Sequence, residues 1–256
     1  MTGATWLGRQ RIDLATCAST NDEIARRAAD GAAHGLVVTA RTQTAGRGRQ
    51  GRSWYSPSGD NLYYSCLLRP ACPPAQAPPL TLAAGLGVLD AIDVAAADAG
   101  VKASLKWPND VLIGGRKVAG VLTEMSTRGE RLEHVIIGIG VNLHTRAFPD
   151  ELADIATSLH LCGVTVERAA FIDELCQHLE LWFDRFLAHG PQPLTAAWLA
   201  RARHGGGTLG RTVRASAARG LVTGQIRGMA TDGRLQVEDA DGRIHLIAAG
   251  VVEYLG

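Results

Sequence analysis

The sequence predicts an α+β fold: a central mixed β-sheet flanked by helices over residues 1–205, then a small β-barrel over 206–256. Three observations predict it. Strand-like and helix-like runs interleave without a strict βαβ rhythm up to about residue 200. Between 165 and 188, Phe171, Leu175, Leu179, Trp182, Phe183 and Phe186 recur at helical spacing and read as one core stripe rather than a cofactor box. After the break "HGGGTLG" (204–210) come short strand-like runs separated by Asp-Gly turns, the pattern of a small barrel.

Composition sets the bounds. The chain has 256 residues, 46% apolar and 20% charged, enough for one large domain with a small module. Its 26 basic and 25 acidic side chains leave a net charge of +1, so any anion site must be local rather than a global basic field. The five cysteines, Cys17, Cys66, Cys72, Cys162 and Cys176, form no C-x-x-C and read as buried thiols of a reducing compartment. The first twenty residues lack the pattern of a signal peptide, and no membrane span is expected, so the reading is cytoplasmic.

Taken in order, Thr20-x-x-Glu23 has the spacing of a capping box and opens a short helix ending at Gly31. "GLVVTA" (35–40) and "NLYYSCLLR" (61–69) read as strands. Pro78 and Pro79 start a small-residue helix over 80–100. "ASLKWPND" (103–110) reads as a strand ending at Pro108, and "VLIGGRKVAGVLTEM" (111–125) as a hairpin turning at Gly114-Gly115. "HVIIGIGVNL" (134–143) reads as a central strand. Residues 146–159 read as a mobile loop, and 193–203 as a second helix beside the 165–188 one. The strand-like runs of the barrel are "RTVRAS", "LVTGQIRGMA", "RLQVEDA" and "RIHLIAAGVVEYL".

The stretch "TAGRGRQGRSW" (44–54) spells Gly46-x-Gly48-x-x-Gly51, the dinucleotide fingerprint. That fingerprint needs a helix directly after the loop, and "SWYSPSGDNLYY" does not read as one. Neither a P-loop nor the kinase partner motifs occur. What remains is a compact anion site: glycines let backbone approach a ligand, and Arg47, Arg49 and Arg52 offer bidentate donors. Such a loop costs entropy to order and is expected to be disordered until a ligand arrives. "KWPNDV" (106–111) places Asn109 and Asp110 at a strand end, suited to ligand hydrogen bonds or Mg²⁺, although in isolation the pair reads first as an ordinary Asn-Asp turn. Lys117 alone is a lysine on a hairpin. The glycines of "GIGVN" (138–142) mark close approach in an apolar strand, and Asn142 supplies an amide at its end.

Together, "STN" (19–21), "QTAGRGRQGRSW" (43–54), "KWPNDV" (106–111), "RKVAG" (116–120) and "GIGVN" (138–142) resemble the biotin–protein ligase family, also called biotin–[acetyl-CoA-carboxylase] ligase. The resemblance covers nearly the whole chain. It implies a catalytic domain followed by an SH3-like barrel, and a ligase that forms biotinyl-5′-AMP from ATP and biotin with Mg²⁺. The biotin then passes to a lysine of a biotin carboxyl carrier protein, or of such a domain in an acetyl-CoA or acyl-CoA carboxylase. It implies biotin contacts at Ser19, Thr20, Asn21, Gln43, Gly46, Arg47, Gly48, Arg49, Trp54, Lys117, Gly120, Gly138 and Gly140. It implies nucleotide contacts at Arg49, Arg52, Asn109, Asp110, Lys117 and Asn142, with Mg²⁺ near Asp110. Lys117, Arg49 and Arg47 are implied as catalytic. Gln50 departs from relatives that often carry a basic residue there. The 18 residues before Ser19 are too few for the helix-turn-helix of relatives that double as repressors, so a monofunctional enzyme without DNA binding is expected, as a monomer or ligand-linked homodimer.

Overall fold

The computed structural model describes residues 6–57, 61–202, 208–217, 220–248 and 252–255. The glycine break at 204–207 and the expected helix end at 203 lie outside the described residues.

The first strand, β1 (Arg11–Cys17), pairs in parallel with β2 (Val37–Gln43). The sequence reading missed it because only Ile12 and Leu14 of this edge strand carry apolar weight. Between them runs α1 (Thr20–Ala29). Its N-cap is Ser19, not Thr20, and no side chain caps it, so the capping box does not form. The Thr20 hydroxyl is instead bonded to Ser65 and Gln43.

Strands β3 (Leu62–Leu68), β4 (Ala103–Lys106), β5 (Asp110–Ile113), β6 (Arg116–Arg128) and β7 (Arg131–Val141) complete a seven-stranded sheet in the order β1-β2-β3-β7-β6-β5-β4. All pairings except β1–β2 are antiparallel, so the sheet is mixed. The expected strand over 103–110 divides at Trp107-Pro108. The β5–β6 hairpin turns at Gly114-Gly115 as expected, with φ of 57° and 78°, the double positive φ that this two-residue turn demands. β7 is central.

Side-chain alternation assigns the two faces of the sheet. Leu62, Tyr64, Cys66 and Leu68 of β3, with Val135, Ile137, Ile139 and Val141 of β7, enter the main core. There they meet α2 (Leu80–Ala95) and α4 (Arg168–His189), and α5 (Gln192–Arg201) adds Leu194 and Trp198. All six residues of the predicted aromatic–aliphatic stripe are buried in this core. Gly87 lets α2 lie close to α4: a Cβ there would sit 3.0 Å from the backbone of Leu179. Residues 74–95 are apolar and long enough to pass for a membrane span, contrary to the sequence expectation, but most of this segment is buried in the core. The opposite face packs Leu67 and Ile136 against Ile24 and Ala28 of α1. This second face also carries the site.

Residues 146–159 contain the short helix α3 (Asp150–Ala153) and are tied to β6 by Lys117 N→Ile155 O (2.8 Å) and Thr157 N→Lys117 O (2.9 Å). The segment expected to be mobile is thus irregular but anchored. All five cysteines are free; only Cys66 and Cys176 are buried, the others half-buried.

The C-terminal strands β8 (Thr212–Ala217), β9 (Gly220–Met229), β10 (Leu235–Glu238), β11 (Ile244–Ile247) and β12 (Val252–Leu255) form a separate antiparallel sheet, the SH3-like module, in the order β11-β10-β9-β8-β12. The last expected run splits into β11 and β12. Trp107 joins the module to the body. Its Nε1 donates to Gly233 O (3.2 Å), its N to Thr208 Oγ1 (3.0 Å), and its O accepts from Tyr254 (3.3 Å).

Candidate active site

The floor of the site is made of glycine. Gly120 on β6 pairs with Gly140 on β7, and Leu122 with Gly138, so the three glycines present no side chain to the α1 side of the sheet and Leu122 alone of the four does. A Cβ on Gly140 would lie 2.5 Å from the Trp54 ring, one on Gly120 2.8 Å from Lys117 Nζ, and one on Gly138 2.2 Å from Asn21 Oδ1. Three functional side chains therefore lie directly on backbone, where any other residue would displace them.

The N-terminus of α1 supplies one wall. Ser19, Thr20 and Asn21 are all buried, which is unusual for polar residues and is made tolerable by their partners. Asn21 Oδ1 accepts from Ser65 Oγ (2.6 Å), and its Nδ2 donates to Glu124 Oε2 (2.6 Å). Because Asn21 Oδ1 can only accept, the single Ser65 proton points there. The Thr20 hydroxyl is then left to donate to Ser65 Oγ (2.8 Å) or Gln43 Oε1 (3.2 Å). Gln43 Oε1 also accepts from Thr20 N (2.9 Å).

The glycine–arginine loop forms the roof. Gly48 N→Arg52 O (2.6 Å) and Trp54 N→Gly46 O (2.9 Å) fold residues 46–54 into a tight hairpin, which ends in a three-residue 3₁₀ turn and no α-helix. The dinucleotide fingerprint therefore lacks the helix it requires. The loop's arginines find partners within the protein. Arg47 grips Asp22 with two bonds (2.8 and 2.7 Å) and reaches Glu124 at 3.3 Å. Arg49 Nη1 donates to Asn109 Oδ1 (3.2 Å). Gln50 holds a left-handed φ of 58° and accepts from Arg52 Nη2 (3.4 Å). Trp54 lies inward under Lys117, whose Nζ is 5.0 Å from the ring centroid. Tyr55 meets Phe148 at 6.0 Å between centroids, so the loop also touches the 146–159 segment.

Two adjoining cavities result. An inner one of about 50 Å³ is lined by Ser19, Thr20, Asn21, Gln43, Arg47, Gly48, Arg49, Trp54, Lys117, Gly120, Gly138 and Gly140, with Asn109 and the apolar Val121, Leu122 and Ile139. Of the thirteen residues implied for biotin, only Gly46 is outside this lining; it closes the loop hairpin instead. An outer cleft of about 450 Å³ takes in Arg49, Arg52, Asn109, Asp110, Lys117 and Asn142, the whole set implied for the nucleotide, along with Lys106 and Asp154. Gly48, Arg49, Trp54, Asn109 and Lys117 border both.

Charge is concentrated where the cavities meet. Lys117 Nζ lies 2.6 Å from Asp110 Oδ1. Burial lowers the pKa of the Arg49 guanidinium, with Asp110 opposing the shift and Arg52 adding to it. Burial likewise lowers that of Lys106, again opposed by Asp110, with Lys117, Arg211 and Arg52 reinforcing the shift. Several cations crowded and partly desolvated around one carboxylate make a site that gains from binding a polyanion. Arg47 stands apart: it borders the inner cavity but not the outer cleft, and its hydrogen bonds to Asp22 raise its pKa. Of the three residues implied as catalytic, Arg47 is the one that does not border the outer cleft. Asn142 donates through Nδ2 to Thr157 O (3.0 Å), holding the wall of the cleft.

Sequence reasoning missed Ser65, Glu124 and Asp22, and passed over Lys106. Ser65 and Glu124 could have been found by strand alternation. Ser65 is the one polar residue between Tyr63 and Leu67 on its face, and Glu124 stands four residues after Gly120 on the floor side.

The sequence matches the Biotin/lipoate A/B protein ligase family over residues 3–142 and the Biotin protein ligase C terminal domain over residues 208–254. The chain belongs to the biotin/lipoate A/B protein ligase family. Within it, the biotin--[acetyl-CoA-carboxylase] ligase of Mycobacterium tuberculosis is 38% identical over 257 residues, covering 99% of this chain and 91% of that protein. The protein of the same name from Paracoccus denitrificans is 36% identical over 242 residues, covering 93% and 98%. The biotin protein ligase from Aquifex aeolicus in complex with biotin and ATP superposes with a TM-score of 0.80 at 28% identity, covering 96% of this chain and 99% of that one.

Proposed function

We propose that this enzyme is an ATP-dependent biotin–protein ligase, with residues 1–205 as the catalytic domain and 206–256 as the SH3-like module. The observation that carries the reading is the joining of a polar, glycine-floored inner cavity to a cationic outer cleft at Lys117, Arg49 and Trp54. That arrangement suits a small acid whose carboxylate meets a nucleoside triphosphate at the junction. Relatives are named for biotin and acetyl-CoA carboxylase, and a solved neighbour holds biotin and ATP, which supports biotin, ATP and a carboxylase carrier domain here.

The inner cavity holds the biotin ring, with Ser19, Thr20 and Gln43 facing the ureido group. The biotin carboxylate attacks the α-phosphorus of ATP, the bond to the β-phosphate oxygen breaks, and pyrophosphate leaves. Negative charge gathers at the α-phosphate, where Lys117 and Arg49 stand ready to offset it. In the second step a carrier lysine ε-amine attacks the carbonyl carbon of biotinyl-AMP, forming the amide and expelling AMP. The closed loop keeps water from the mixed anhydride in between.

Among the described residues no three acidic, histidine or cysteine side chains gather as a metal cage. Mg²⁺ does not need one, since one or two carboxylates plus substrate phosphates suffice. The oxygen donors of Asp110, Asn109 and Asp154 in the outer cleft fit that pattern. Asp110 and Asn109 would hold the ion, which on binding supplies neutralising charge to the phosphates. The free thiols accord with a cytoplasmic setting.

Incubation with ATP, Mg²⁺ and either biotin or lipoate tests the reading by pyrophosphate release. Release that depends on biotin is expected; release only with lipoate, or with neither, would refute it.

A further inference from the structure

We propose that Glu124, which lies outside every motif of the sequence, is a positioning residue that couples biotin recognition to closure of the 44–57 loop. The inference rests on the biotin reading of the inner cavity. Glu124 divides its two oxygens between the two halves of the site. Oε2 accepts from Asn21 Nδ2 at 2.6 Å, and Oε1 receives Arg47 Nη2 at 3.3 Å.

Asn21 has little freedom to do otherwise. Its Oδ1 is taken by Ser65 (2.6 Å), and the amide lies on Gly138, where a Cβ would stand 2.2 Å from Oδ1. Its amide plane is therefore set by Ser65 on one side and Glu124 on the other. Arg47, in turn, rides on the loop between Gly46 and Gly48. When the loop is shut, the guanidinium lies between the carboxylates of Asp22 and Glu124. When it lifts, two like charges are left facing one another, and Glu124 keeps only its bond to Asn21. Whatever favours the ordered Asn21–Glu124 arrangement thus favours the shut loop, and the reverse holds with equal strength. The Arg47 pairs are partly exposed, with side chains 38–50% accessible, so they are weak enough to break in each catalytic cycle.

Asp22 provides the comparison that isolates the idea. It grips Arg47 with two bonds but takes no part in the Asn21 network among the described residues. Three full-length variants, Glu124→Gln, Glu124→Ala and Asp22→Asn, are assayed beside the wild type. One readout is KM for biotin in pyrophosphate release. The other is escape of biotinyl-AMP, read as biotin label on serum albumin.

Glu124→Gln keeps an oxygen for Asn21 but faces Arg47 without charge, so escape rises while KM stays within about threefold. Glu124→Ala loses both partners: escape rises and KM for biotin climbs about tenfold. Asp22→Asn, which loosens the loop but leaves the Asn21 bond in place, raises escape with a much smaller rise in KM than Glu124→Ala. Wild-type KM and escape in Glu124→Ala would overturn the proposal. So would an Asp22→Asn variant whose KM rises as much as that of Glu124→Ala, because loop loosening alone would then explain both effects. If the wild type releases no pyrophosphate with biotin, the functional reading falls and takes this inference with it.

Discussion

Lys117 and Asp110 face each other where the two cavities meet, their charged atoms 2.6 Å apart on adjacent antiparallel strands. The pair holds the ammonium between the indole of Trp54 and the outer cleft, so a carboxylate and an α-phosphate meeting there would both lie within its reach. Lys117→Ala removes that charge without disturbing the buried core. The expected result is a loss on the order of 10²-fold in the rate of biotin-dependent pyrophosphate release. Near wild-type release would take Lys117 off the catalytic list.

Arg49 ties the roof to the outer cleft through Asn109. Arg49→Gly removes that tie from a loop already rich in glycine, and the fold should be unaffected because Arg49 serves no buried cluster. Bystander proteins mixed with this variant, ATP and biotin should acquire more label than with the wild type. Equal labelling would show that Arg49 does not retain the adenylate.

The glycine floor makes a sharper demand. Gly138→Ala places a methyl group against Asn21 Oδ1, and Asn21 cannot retreat without giving up Ser65 or Glu124. KM for biotin should rise about tenfold or more, on the scale of one lost charge-assisted hydrogen bond. Circular dichroism should show an intact fold. Unchanged KM would mean that the Asn21 amide is not needed in this position.

Tyr254 gives the pH dependence. Burial raises its pKa to about 12, opposed by its bond to Thr208 and the charge of Arg211 and helped by the charge of Asp110. The unfolded chain gives up this proton near pH 10 while the folded chain keeps it. This contribution to stability is full below about pH 10 and is lost as pH rises toward 12. It amounts to about 2 kcal/mol after allowance for the partial exposure of the ring. Melting temperatures taken from pH 8 to 12 should fall less steeply for Tyr254→Phe than for the wild type. Parallel curves would contradict the shift.

Most of the scaffold was legible because its patterns are strong. The alternation of β7 and the helical stripe of α4 each bury a continuous apolar face, so periodicity alone reports them. β1 was not legible, since two half-buried aliphatics on an edge strand leave almost no pattern. Thr20 misled for a physical reason: its capping-box spacing is real, but Ser65 and Gln43 compete for its hydroxyl and win. In the site, motif residues were visible because their types are unusual for their neighbourhoods. Glu124 and Asp22 were not, because a carboxylate on a strand or in a first helical turn is ordinary until the loop's arginine is seen to land between them. The same cause hid the loop's anchoring contacts: the partners of Arg47 and Arg49 are distant in sequence.

Trp107 has a consequence for anyone who would cut or exchange the C-terminal module. Its indole nitrogen, backbone amide and carbonyl are all bonded to that module, although the residue sits one position before the proline that leads into Asn109 and Asp110. Truncation would strand three polar groups, the indole N–H among them, between Lys106 and Asn109 of the outer cleft. A chimaera would inherit the same fault unless its new module brought equivalents of Thr208, Gly233 and Tyr254. The two parts are therefore not independent cassettes, and a successful graft must carry its own socket for this one tryptophan.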